Sequence, residues 1–147
     1  MSDENKDLNE NVPLILVVED DVDFLSFMVS ELEEDYRVIS ASQGKEGLRL
    51  ALEHIPDLVV TDVMMPIMNG VELCGKLKFS PETSHIPVFM LTAKSSVESQ
   101  LEGLNTGADD YVTKPVVMEV LLLRIRNMLE SRRLLRDHQL FICFNDK

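Results

Sequence analysis

The 147-residue chain has no tryptophan, only two cysteines and three scattered histidines. Cys74 and Cys143 lie far apart and form no CxxC pair, so a redox dithiol is not encoded and a buried thiol is the expectation for Cys74. His54, His85 and His138 share no ligand spacing; they support no zinc centre and read as surface residues. Positive charge is also scarce, with 14 Lys and Arg against 26 Asp and Glu and a net charge of −12. Neutralising phosphates takes clustered Lys and Arg, so direct nucleic-acid binding is not expected. No apolar run approaches the ~20 residues of a membrane span, and the acidic opening MSDENKDLNENVP is no signal peptide. The expectation is a cytoplasmic protein without membrane insertion. The phosphate loop GxxxxGK[ST] is missing too, which excludes a P-loop nucleotide hydrolase.

What is present is a globular composition, 45% hydrophobic and 27% charged. A chain of this length buries roughly two-thirds of its unfolded surface, enough for one core. Residues 1–12 offer little to bury and are expected to be a disordered leader. Continuous apolar runs predict buried strands at Leu14–Val18, Asp57–Asp62 and Ile86–Ala93. Tyr36–Ala41 alternates like a strand nearer an edge, and Asp110–Thr113 is a short fifth strand. Helical spacing covers Val22–Leu32, Gly44–His54, Gly70–Phe79 and Ser95–Asn105, and then Val116 to at least Glu130. Five strands alternating with five helices predict an α/β fold, a doubly wound parallel sheet with helices on both faces.

In such a fold, binding groups collect at the carboxyl ends of the strands. The first strand ends in Glu19-Asp20-Asp21, the third in Asp62, the fourth in Thr92 and the fifth in Thr113-Lys114. Each has an ordinary reading: an acid after a strand can simply cap the next helix, worth ~0.5–2 kcal/mol. A lone lysine is a surface residue, and a lone threonine bonds backbone. Their collection on one rim points further. Carboxylates at Asp20 and Asp62 repel unless a cation lies between them, and hard oxygen ligands suit Mg²⁺. Lys114 and Thr92 suit a phosphoryl group, and an Asp carboxylate can be the nucleophile that receives one.

The stretches ILVVEDD, DLVVTDVMMPIMNG, PVFMLTA and GADDYVTKP resemble the four signatures of the receiver domain of two-component response regulators. The resemblance runs from about Leu14 to Leu129. It implies a five-stranded, flavodoxin-like sheet of order 2-1-3-4-5. It makes Asp62 the phosphoacceptor, fed by a histidine kinase, a histidine phosphotransfer domain or a small donor such as acetyl phosphate. It makes Asp20, Asp62 and the Met64 carbonyl the Mg²⁺ ligands, with Glu19 acting largely through water and Asp21 starting a helix. It makes Thr92 and Tyr111 the switch residues, and Lys114, before a cis Pro115, the partner of the phosphoryl group. Such a domain catalyses its own phosphorylation and dephosphorylation. Met64 and Lys94 fall where the family tunes the second of these.

Two further enzyme or carrier classes fit the layout less well. A haloacid-dehalogenase phosphatase needs a second Asp where this chain has Met64, and three acids after the first strand would repel a flavin phosphate. The remaining alternative is a receiver-like module that docks proteins independently of phosphorylation. The expected division is leader 1–12, receiver domain 13–130 and helical extension or linker 131–147. The arginines at 124, 126, 132, 133 and 136 fit a basic helical surface, with output to a partner or effector domain through the last two helices. Pairing with a second copy stays open. The expectation is a receiver module cut from a longer protein, either a hybrid sensor kinase or a regulator with a DNA-binding effector.

Overall fold

The computed structural model describes residues 11–93 and 107–145, with side chains as far as His138. Five strands form one parallel sheet: β1 (Leu14–Val18), β2 (Arg37–Ala41), β3 (Leu58–Asp62), β4 (Val88–Ala93) and β5 (Asp110–Lys114). Their order is β2-β1-β3-β4-β5, as expected. Among the described residues there are four helices: α1 (Val22–Leu32), α2 (Gly44–His54), α3 (Gly70–Phe79) and α4 (Met118–Asn145). The helix expected at Ser95–Asn105 lies outside the described residues, as do Lys94 and most of the leader.

Apolar residues run continuously along the inner strands because both faces of the sheet are covered. Side chains alternate across the pleat, so Ile15 and Val17 enter one core while Leu16 and Val18 enter the other. The first core is closed by Met28 and Leu32 of α1 and by Leu121 and Ile125 of α4. The second is closed by Ala51 of α2 and by Leu73, Cys74 and Leu77 of α3.

Small departures from the expected boundaries have local causes. β4 begins at Val88 rather than Ile86 because Pro87 has no N–H to give a ladder; only its carbonyl serves, accepting from Val59. β2 begins at Arg37 because the Tyr36 N–H closes the end of α1 on the Leu32 carbonyl. α4 begins at Met118, two residues after the expected start, and runs unbroken past residue 130. Arg132 ties it back to the body, donating to Asp109 Oδ1 at 3.0 Å and to the His85 carbonyl at 3.2 Å. Asp109 Oδ2 also accepts from Lys78 Nζ at 3.0 Å and from the Val88 N–H at 2.8 Å. One half-buried carboxylate thus joins α3, β4, β5 and α4. No described helix is long and apolar enough to cross a membrane.

The loop between β3 and α3 carries backbone strain. Ile67 lies at φ 70° between Pro66 and Met68, and the Met68 N–H donates to the Pro66 carbonyl at 2.8 Å, closing a γ-turn. A β-branched residue rarely adopts this conformation, at a cost of about 1–3 kcal/mol. Ile67 is 85% exposed, so its side chain returns little in burial. Ile67→Gly is therefore expected to stabilise the protein by about 1 kcal/mol, read as a rise in the urea midpoint at unchanged m-value. A fall would show that the turn does not hold this conformation.

Candidate functional site

The sheet reverses its order at β1, with β2 on one side and β3 on the other. In such a sheet this is where binding groups gather, at the carboxyl ends of β1 and β3, and both strands finish there in acids. The Glu19 N–H extends the β1 ladder to the Ala41 carbonyl at 3.0 Å, which points its side chain inward; it is fully buried. Asp62 closes β3 opposite Leu91 of β4 and is 6% exposed. Asp20 is exposed beside them. Oxygens of Glu19, Asp20 and Asp62 all lie within 4.8 Å of one another, the one group of metal-ligating residues of this kind among the described residues.

Lys114 reaches this cluster from the end of β5. Its Nζ donates to Asp62 Oδ2 at 2.9 Å and to Glu19 Oε1 at 3.2 Å. Burial works against its charge, but the hydrogen bond and attraction to Asp62, then to Glu19, outweigh this and raise its pKa. Glu19 is pushed up to about 7, first by burial and then by its contact with and repulsion from Asp62; Lys114 opposes both. Glu19 Oε2 is buried with no hydrogen-bond partner. Lys114 meets one oxygen of each acid, and a proton or a further cation would satisfy the Glu19 oxygen that remains.

The other expected site residues fall into two groups. Thr92 is buried one residue beyond the β4 partner of Asp62, pairing in register with Thr113. Met64 follows Asp62 on the loop after β3 with its side chain exposed. Tyr111 lies further back on β5, opposite Met90, half-buried against the core beneath α2 and α3. Its carbonyl accepts from Arg124 of α4 at 2.9 Å. Asp21 is a helix cap: its Oδ1 accepts from the N–H groups of Asp23 and Phe24. The Lys114–Pro115 bond is cis. His54, His85 and His138 are exposed and away from the cluster.

Two residues beside the site had no signal as site residues in the sequence. Gly70, read there only as the first residue of a helix, packs against the Asp62 backbone, where a Cβ would overlap the Asp62 carbonyl oxygen. Phe24, read only as part of a helical apolar face, places its ring centroid 5.5 Å from Lys114 Nζ.

The model of the response regulator receiver domain matches residues 15–126. The chain belongs to this family. As a receiver domain it is a component of two-component signalling. It is 45% identical over 122 residues to histidine kinase P4 of Formosa agariphila, covering 83% of this chain but 9% of that protein. It is 42% identical over 119 residues to response regulator ArlR of Staphylococcus aureus, covering 80% of this chain and 53% of the relative. The chain thus spans about half or less of these curated relatives. The signal receiver domain of a histidine kinase from Syntrophus aciditrophicus superposes with a TM-score of 0.77 at 36% identity, over 81% of this chain and 91% of that one.

Proposed function

We propose that this receiver domain is a Mg²⁺-dependent switch in which Asp62 takes a phosphoryl group from a phosphohistidine on a histidine kinase or histidine phosphotransfer domain. The carrying observation is the convergence of Glu19, Asp20 and Asp62 with Lys114 at the switch point of the sheet. Among the described residues, three carboxylates against one ammonium leave an excess of negative charge that a hard divalent cation matches. The partnerless buried oxygen of Glu19 supports the same fit. Asp20, Asp62 and the Met64 carbonyl would hold the ion, with Glu19 acting through water. When bound, Mg²⁺ neutralises phosphoryl oxygens and aligns them for in-line transfer.

The remaining chemistry belongs to the chain. A carboxylate oxygen of Asp62 attacks phosphorus; the new O–P bond forms as the N–P bond of the donor breaks and the imidazole nitrogen keeps the electron pair. Lys114 exchanges its bond to Asp62 Oδ2 for one to a phosphoryl oxygen, and the Thr92 hydroxyl donates to another. Water later attacks the same phosphorus and restores Asp62. The phosphoryl group adds roughly 1.5–2 negative charges, which draw Thr92 and Lys114 inward and open space for Tyr111 to turn in. The altered face comprises Tyr111 and α4, together with the helix expected at Ser95–Asn105, and it addresses an output domain, a partner or a second copy.

Incubating the full chain with acetyl phosphate and reading intact mass tests this. One phosphoryl group per chain is expected with Mg²⁺ and none with chelator. A folded protein that binds Mg²⁺ but accepts nothing from acetyl phosphate or a phosphorylated kinase would favour the docking module. The site also sets a pH dependence. Because Glu19 is raised from 4.5 to about 7, it is protonated in the folded protein at pH values where the unfolded chain is ionised. Its contribution to stability is fully present below 4.5 and is lost as pH rises through about 7. The cation competes with that proton, so Mg²⁺ affinity should fall about tenfold per pH unit below this point. NMR titrations with Mg²⁺ at pH 6, 7 and 8 measure it; equal affinities would remove Glu19 from the site.

A further inference from the structure

We infer that Phe24 is a positioning residue for Lys114, its ring holding the ammonium over the acid pair; the inference rests on the reading of Asp62 as phosphoacceptor. Lys114 ends a flexible four-carbon stem with three donor hydrogens, and its side chain is 31% exposed. Glu19 and Asp62 draw the ammonium from one side. The Phe24 ring flanks it, with its centroid 5.5 Å from Nζ, within the range of a cation–π attraction. Without the ring, the side toward α1 is open to rotamers that carry the ammonium into water.

The ring is itself held in place. Phe24 lies in the first turn of α1 and packs against the core shared with α4. Its N–H donates to Asp21 Oδ1 at 3.2 Å. The third acid of Glu19-Asp20-Asp21 therefore acts on the site at one remove, through the cap that fixes the start of α1. A π face also suits a lysine that has to move. It attracts positive charge without a preferred hydrogen-bond direction, so Lys114 can pass from Asp62 Oδ2 to a phosphoryl oxygen while staying over the ring.

The test measures phosphoryl uptake from acetyl phosphate at saturating Mg²⁺ for the full chain and its Phe24→Leu and Phe24→Trp variants. Phe24→Leu should be about three- to tenfold slower, with Mg²⁺ affinity unchanged, and Phe24→Trp should match or exceed the original rate. In a Lys114→Ala background, with its slower basal rate, Phe24→Leu should have no further effect. A packing role would slow both backgrounds alike and overturn the inference, as would a leucine variant as fast as the original. A second readout is independent of uptake: the Lys114 ε-methylene protons should be shifted upfield by the ring and lose that shift in Phe24→Leu. An unshifted signal overturns the positioning role. Failure of the unsubstituted chain to accept phosphate, with the ring shift present, would instead sink the phosphoacceptor reading alone.

Discussion

Replacing Asp62 with Asn is expected to raise the thermal midpoint of the metal-free protein while abolishing phosphoryl uptake. Glu19, Asp20 and Asp62 crowd their oxygens within 4.8 Å, and among the described residues Lys114 is the cation paired with them. The Asp62→Asn change would keep an acceptor for the lysine and remove one of the mutually repelling charges. Glu19 would then lose the repulsion that helps raise it to about 7 and remain paired with Lys114. The gain should be about 1–2 kcal/mol, or roughly 3–6 °C for a chain of this size. It should be largest above pH 7, where Glu19 is ionised, and shrink in acid, where a proton already relieves the pair. Thermal unfolding in chelator at pH 6 and pH 8 checks both sign and trend. A lower midpoint at both values would mean that the lysine bridges outweigh the repulsion.

Gly70→Ala should instead lower stability, and it too should impair uptake. Gly70 opens α3 immediately after the Asn69 cap, and its N–H donates to the Val63 carbonyl at 2.9 Å. A Cβ there would overlap the Asp62 carbonyl oxygen and come within 3.0 Å of Asp62 C and Val63 Cα. All three atoms are backbone, so no rotamer change relieves the overlap and the loop has to move. The expected loss is about 3 kcal/mol, with uptake reduced at least about tenfold as Asp62 is displaced. Gly75 in the same helix is the control: nothing lies within 4 Å of its Cβ position. Gly75→Ala should stabilise by about 0.5–1 kcal/mol and leave uptake unchanged. Equal effects at the two glycines would show that helix propensity, rather than contact with Asp62, governs position 70.

The contrast between these residues marks what the sequence could reveal. Asp62, Glu19, Asp20 and Lys114 were legible because strand ends converge in a doubly wound sheet whatever the details of packing. Residue type and order along the chain therefore placed them on one rim. The continuous runs at Leu14–Val18 and Leu58–Asp62 announced strands covered on both faces, and the two cores bear this out. Gly70 looked like an ordinary helix start because its reason is an approach to the Asp62 backbone that only the folded loop creates. Ile67 gave no sign of a positive φ, since local preference argues against it and the loop closure imposes it. Phe24 was hidden in the apolar periodicity of α1; its nearness to Lys114 depends on how that helix lies against β1 and α4. The joint at Asp109 escaped for the same reason, because Lys78 and Arg132 meet it only after α3 and α4 have packed.

The measurement that tests the central claim most directly is the chemical location of the phosphoryl group. The loaded protein would be reduced with borohydride, which converts an aspartyl phosphate to homoserine, and its peptides sequenced by mass spectrometry. Homoserine at position 62, present only in samples loaded with Mg²⁺, is the result this account predicts. Homoserine at Asp20 or another acid, or a stable phosphate on a hydroxyl residue, would contradict it.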